Sequence, residues 1–278
     1  MIEGEGFWKF LERQIRVIIA RAYVRIVGMN REPSWMLFDV SLPVLYLAAY
    51  LFLYKSMNAD ETFMGYLVLG GSMVGFWMNV LWGMASQFYW EKEMGNLQIF
   101  FLSPISRMSI LIGMALGGMY STVIRALVTF FLASWLFHVP FHVTNIWTLL
   151  AVFFLTLTAL YGLGMIGSSV FMLWGRKGLF FTELLHEPVF FLSGFYFPVR
   201  VLGYVVAGIA SVLPITLGLD GMRQVIYGGT KSLIFLPVGT EILLLGVLTV
   251  LYGIGACYFL NVMEKKAKQD GRILTRWL

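Results

Sequence analysis

Three groups of residues in this chain have types and spacings that suit chemistry. Glu183, His186 and Glu187 stand at i, i+3 and i+4, so on a helix they share a face and could ligate a metal ion. They lie beside Pro188, and no second His motif accompanies them. The same residues read more readily as polar groups gating the cytoplasmic end of a pathway, or as pairs made for stability. Gly228-Gly229-Thr230-Lys231-Ser232 ends like a phosphate-binding loop, but Thr230 stands where a Gly must precede the Lys, and the strand such loops follow is missing. Any ATP chemistry would therefore fall to another polypeptide, and no catalytic residue is assigned. The third is Arg125, midway along an apolar run. A cation at the bilayer centre costs about 2.5 to 3.5 kcal/mol on insertion scales, so it must face protein or water. A buried ion pair or backbone contact and a place on a substrate path both satisfy that demand. The single Cys257 excludes an internal disulfide and a thiolate cluster.

The solvent that positions these residues is lipid. With 59% hydrophobic and 13% charged residues in 278, the chain cannot cover its apolar surface with polar groups. Six runs are long enough for a core of about 30 Å, which takes roughly 20 helical residues: 35–54, 63–90, 108–136, 146–174, 179–197 and 241–262. The net charge of +5 fits anionic headgroups and the setting of orientation, not nucleic acid. The 24 Phe, 13 Tyr and 9 Trp suit interface belts and helix packing. The opening Met-Ile-Glu-Gly-Glu-Gly predicts no cleavable signal peptide.

Residues 7–26 carry too many basic groups to span. Phe7, Phe10, Leu11, Ile15, Ile18 and Ala22 share a face opposite Lys9, Glu12, Arg13 and Arg16, which predicts an amphipathic helix in the interface; Arg21 and Arg25 spoil the pattern near its end. Gly71 with Gly75, and Gly113 with Gly117, have the spacing of close helix packing. After Leu192, the run Ser193-Gly194-Phe195-Tyr196-Phe197-Pro198 leads to a short apolar stretch, Val199 to Val212, stopped by Pro214. About fourteen apolar residues between breakers predict a re-entrant hairpin within 198–240. With the N-terminus inside, Lys55, Arg200, Arg223 and Lys231 fall outside, Arg125 is in a span, and the other fifteen of the 20 basic residues fall inside. The positive-inside rule then puts both termini in the cytoplasm.

Between the second and third runs lies Glu91-Lys92-Glu93-Met94-Gly95-Asn96-Leu97-Gln98-Ile99-Phe100-Phe101-Leu102-Ser103-Pro104-Ile105-Ser106-Arg107. Gly95-Asn96 predicts a stop and a new cap, and Ser103-Pro104 a second stop, leaving one or two helical turns across the ends of two spans. Leu97 and Phe100, three apart, share a face. Glu-x-Glu-x-Gly-x-Leu followed by Leu-Ser-Pro and Ser-Arg resembles the cytoplasmic coupling segment of ATP-binding-cassette (ABC) exporter permeases of the type-two class. Ser-Gly-x-x-Phe-Pro, a short apolar segment and Pro-Ile-Thr resemble the fifth-span region of the same family.

The resemblance implies an all-α polytopic membrane protein in the cell membrane, with six transmembrane helices, the interfacial helix and the outer hairpin before the last span. It implies a dimer of permease subunits, identical or not, each engaged by a separate ATPase subunit that holds ATP and Mg, with no cofactor on this chain. Glu91, Glu93, Gly95, Leu97, Phe100, Ser103, Pro104 and Arg107 would carry coupling, with Leu97 and Phe100 entering a groove on the ATPase. Ser193, Gly194, Phe197, Pro198 and Pro214 would shape the outer gate, and Arg125, Glu183 and Glu187 would serve the pathway. The alternatives are an ion-coupled secondary transporter or channel, for which no inverted repeat is visible, and an intramembrane hydrolase.

Overall fold

Apolar runs of this length leave the backbone one way to satisfy its polar groups in lipid, which is to close every hydrogen bond within the run. The computed structural model describes residues 7–31, 33–58, 60–174, 176–228 and 234–269, and all regular elements among them are helical. They are α1 (Phe7–Asn30), α2 (Pro33–Ser56), α3 (Glu61–Met78), a π-helical segment (Asn79–Ala85), α4 (Gln87–Glu93), α5 (Asn96–Leu102), α6 (Arg107–Phe137), α7 (Ile146–Trp174), α8 (Arg176–Leu192), a 3-10 turn (Val199–Leu202), α9 (Tyr204–Ala210), α10 (Pro214–Tyr227) and α11 (Val238–Gln269). Residues 229–232 of the phosphate-loop lookalike, Arg272 and Arg276 lie outside the described residues.

Five helices are long and apolar enough to cross a membrane, or six if α9 and α10 count as one broken span. The expected second span is realised as α3, the π segment and α4 in succession. The expected fifth span corresponds to α8, whose 17 residues sit at the short end of the range of about 17 to 25 that a bilayer core asks for. The hairpin, by contrast, is larger than the apolar run suggested. Pro214 does not end it but opens α10 at its first turn, where a missing N–H costs nothing. α9 and α10 meet at a bend of 114°. Nearly every side chain of α10 is buried, because the helix sits against α7, α11 and α3. The main core gathers Phe76, Met84, Phe88, Ile110, Leu111, Leu160, Phe195, Ile215, Leu219 and Leu245 around it.

α1 packs lengthwise along α6. Gln14 meets Ser109, Ile18 faces Gly113, Ala22 faces Gly117 and the Met29 carbonyl meets Arg125, so the two helices run in step and in the same direction. A Cβ on Gly113 would lie 2.6 Å from the Ile18 carbonyl oxygen, and one on Gly117 2.7 Å from that of Ala22. Only glycine allows backbones this close. The face of α1 therefore differs from the expected one. Ile18 and Ala22 turn to α6, as do Arg21 and Arg25, while Leu11, Ile15, Ile19, Tyr23 and Val27 form the exposed apolar stripe. Of the other glycine pair, Gly71 abuts Leu47 of α2, and a Cβ on Gly75 would lie 3.6 Å from the Thr122 side chain.

Gly117→Leu should unseat α1 and lower unfolding free energy by about 1 to 3 kcal/mol or more, as overpacking does. Gly75→Ala, with its nearest neighbour at ordinary contact distance, should stay within about 1 kcal/mol of the parent. Unfolding of the detergent-purified protein, followed by tryptophan fluorescence, measures both.

Candidate functional site

α4 ends at Gly95, whose φ of +79° is open to glycine at little cost, and its N–H donates to the Lys92 carbonyl at 3.0 Å. The chain turns there and begins α5 at once. Asn96 does not cap the new helix. Its amide donates to Glu91 Oε2 at 2.9 Å, and the cap position belongs to Gly95. Glu91, almost fully buried, also pairs with Arg21 of α1 and accepts from Gln87 Nε2 at 3.1 Å. One carboxylate thus ties α1, α4 and α5 together. Next to it, Arg25 donates from Nη1 to Gln87 Oε1 at 2.5 Å. Burial, and to a smaller degree the neighbouring Arg21 charge, lower the Arg25 pKa from its ordinary value, while Tyr161 and Glu91 act the other way.

The far end of α5 is tied as well. Ser103 donates its hydroxyl to the Ile99 carbonyl at 2.8 Å, the exposed Pro104 follows, and the Ser106 N–H donates to the buried Gln14 side chain at 3.0 Å, which also accepts from the Ser109 hydroxyl at 2.9 Å. Arg107 pairs with Glu264 of α11 at 3.2 Å, and its guanidinium lies 5.1 Å from the Phe101 ring centroid. Arg21 stands 4.8 Å over the Phe100 ring. These contacts correct the expected facing of α5. Leu97 is 1% exposed and sits in the core, and Phe100 is half-buried under Arg21, so neither is presented outward. The outward side chains are Gln98, Ile99 at 60% and Leu102 at 88%, with Met94 before the helix. Glu93 is half-buried.

The remaining predicted residues fall in three places. At the loop after α8, Ser193, Pro198 and Pro214 are buried, Phe197 is half-buried, and Gly194 takes a positive φ of +67° to make the turn. Arg223, read from sequence as an outer loop charge, is instead wholly buried on α10. It donates to the carbonyl oxygens of Phe195 at 2.7 Å, Phe197 at 3.1 Å and Tyr66 at 3.1 Å. On α8, Glu183 and Glu187 are exposed and His186 turns toward Phe190, 5.8 Å between rings. Among the described residues no group of three His, Cys, Asp or Glu is placed to hold a metal. Arg125 finds the partner that sequence could not name: it pairs with Asp39 of α2 and donates to the Met29 carbonyl at 3.0 Å.

Sequence reasoning missed Gln14, Arg21, Asp39 and Arg223. Arg21 had left a trace, since it broke the amphipathic pattern of α1 on the side that proves to be buried. The π-helical segment left none, and it places Asn79 to accept from the Tyr161 hydroxyl at 2.9 Å. Such segments often mark functional sites.

A multi-pass helical chain with a charged, rigidly tied junction between two of its spans is a membrane transport subunit in architecture. The family of ABC-2 type transporters matches over residues 13–227, from α1 to the end of α10. The chain belongs to that family and is an ABC transporter permease, whose membership implies an ABC ATPase subunit as partner. No curated protein shows significant sequence similarity to it.

Glu91→Ala should lower unfolding free energy by about 2 to 4 kcal/mol, toward the low side for a broken buried pair because Arg21 keeps some access to water. Arg21→Ala added to Glu91→Ala should cost far less than Arg21→Ala alone. A double-mutant cycle on chemical unfolding of the purified permease reads that coupling.

Proposed function

We propose that this permease works in an ATP-driven exporter and that α5 is the element through which a separate ATPase moves it. The chain binds no nucleotide of its own on this reading; ATP and Mg reside on the ATPase. The observation that carries the proposal is the mechanical state of α5. Its apolar outer side chains, Ile99 and Leu102, have no partner surface within the described part of the chain, while its inner side meets four helices: Asn96 bonds Glu91 of α4, Phe100 lies under Arg21 of α1, and Phe101 lies against Arg107 of α6 and Lys268 of α11. A push on the outer face would reach four helices without bending a loop.

The rest of the assembly follows from cost. Charged side chains are expensive against lipid, so the exposed Glu183 and Glu187 of α8, on a helix that also exposes Phe180, Leu184 and Phe191, face a second permease subunit or the pathway between the two. α2, with Leu37, Leu45, Phe52 and Leu53 exposed, would add to that interface. Both termini lie in the cytoplasm of a cell-membrane protein by the distribution of basic residues. The exposed apolar stripe of α1 would then meet lipid on that side, with Lys9 and Arg16 near the headgroups. Arg125, held by Asp39, lines the same side of the protomer as α2, and the pinned loop from Ser193 to Pro198 with Pro214 would form the outer end of the path.

In the assembled complex, Ile99→Ala with Leu102→Ala should leave insertion and folding intact and reduce transport-linked ATP hydrolysis about tenfold or more, the loss expected for a pair of central interface anchors. Leu97→Ala should act differently, by destabilising the permease itself by about 2 to 5 kcal/mol, as core truncations do. In a Cys257→Ser background, a cysteine replacing Leu102 should crosslink to the ATPase and one replacing Leu97 should not. Full activity in the double variant with no crosslink at Leu102 would remove the coupling role.

A further inference from the structure

A cavity of about 1010 Å³ lies between α1, α2, α3 with its π segment, and α6, at the large end of the range of roughly 300 to 1,000 Å³ typical of ligand sites. Part of the lining is apolar: Phe38 and Leu42 of α2, with Val74, Met78 and Trp82. The same cavity is lined by three arginines, Arg21, Arg25 and Arg125, and two carboxylates, Glu91 and Asp39. Glu91 pairs with Arg21 and Asp39 with Arg125. Arg25 is the third cation, and its hydrogen bond among the described residues goes to the neutral Gln87. Its Nε is buried without an acceptor.

The guanidinium is closely housed. A Cβ on Gly83 would come 2.5 Å from Arg25 Nη2, and one on Gly118 3.1 Å from Nε, so side chains on the flanking helices would displace it. Arg25 shares Glu91 with Arg21, so the three cations of the lining outnumber its two carboxylates by one, a costly imbalance that an anion relieves. Water alone would solvate the cation but would leave the apolar part of the lining without a partner. A ligand with a charged end and an apolar length satisfies both sides together.

We propose that this cavity binds an anionic amphiphile, with its phosphate or carboxylate head on Arg25 and its apolar chain along the wall formed by α2 and α3. The inference does not depend on how the ATPase couples, because it concerns the permease subunit alone, without nucleotide or partner.

The test uses the permease purified in detergent and titrated with phosphatidylglycerol or with uncharged diacylglycerol of the same acyl chains, bound lipid being counted by native mass spectrometry. Phosphatidylglycerol should bind about tenfold more tightly, the value of a charge-assisted hydrogen bond. Arg25→Gln should abolish the difference, and Arg25→Lys, which keeps the charge, should retain most of it. Met78→Trp, which fills the apolar side and leaves every charge in place, should reduce binding of phosphatidylglycerol by a similar factor. Inorganic phosphate at millimolar concentration should not displace the lipid. Equal binding of the two lipids, a preference unchanged by Arg25→Gln, or displacement by phosphate alone would each overturn the proposal. Should Arg25→Gln fail to fold, unchanged binding in Met78→Trp overturns it.

Discussion

The carboxylate of Glu91 is the interaction on which the α4–α5 end of this permease depends. It is buried, it faces Arg21, and it accepts from Gln87 and Asn96, so its removal would leave donors from three helices without an acceptor. A buried ion pair adds little to stability compared with a well-packed apolar substitute, and its better-attested value is in fixing one arrangement among several. Here the arrangement it fixes is the angle between α4 and α5. The tight turn at Gly95 permits many directions for the next helix, and the Asn96 bond to Glu91 chooses one.

The same economy governs the other polar groups. In a medium that offers no hydrogen bonds, a charge survives by meeting a second charge or a set of carbonyl oxygens. Arg125 does the first with Asp39 and adds the Met29 carbonyl, and Arg223 does the second. Both draw together segments distant in sequence. Their effect on architecture is to lock α1 beside α6 and α2, and to lock the loop after α8 against α3 and α10. The helices supply apolar area, which holds them loosely in lipid; the polar contacts decide which neighbours they keep.

Much of this was legible in the residues. Long apolar runs marked α2, α3, α6, α7 and α11, because a span of lipid imposes a minimum length that chance rarely meets. Gly95 and Ser103-Pro104 marked the ends of α5, since a positive φ and a proline act locally. What could not be read was which way α5 faces. Leu97 and Phe100 looked like an outward pair by spacing alone, yet spacing assigns residues to a common face without saying whether that face meets core or solvent. Gln14 and Arg21 settle the matter, and they come from about eighty residues upstream. Arg223 was counted with exposed loop charges because no local signal distinguishes a cation with three carbonyl acceptors from one in water.

That last contact bears on how this part of the chain can vary. Arg223 grips the loop by main-chain oxygens of Phe195 and Phe197, and the main chain is common to all residue types. The side chains at Tyr196 and Phe197, both partly accessible, can therefore change in kind, and with them the shape and polarity of this end of the bundle, while the backbone path stays where it is. The constraint concentrates on position 223 and on the glycine that makes the turn. A permease of this build could re-tune that surface by changing two or three loop side chains without rebuilding the frame that holds them.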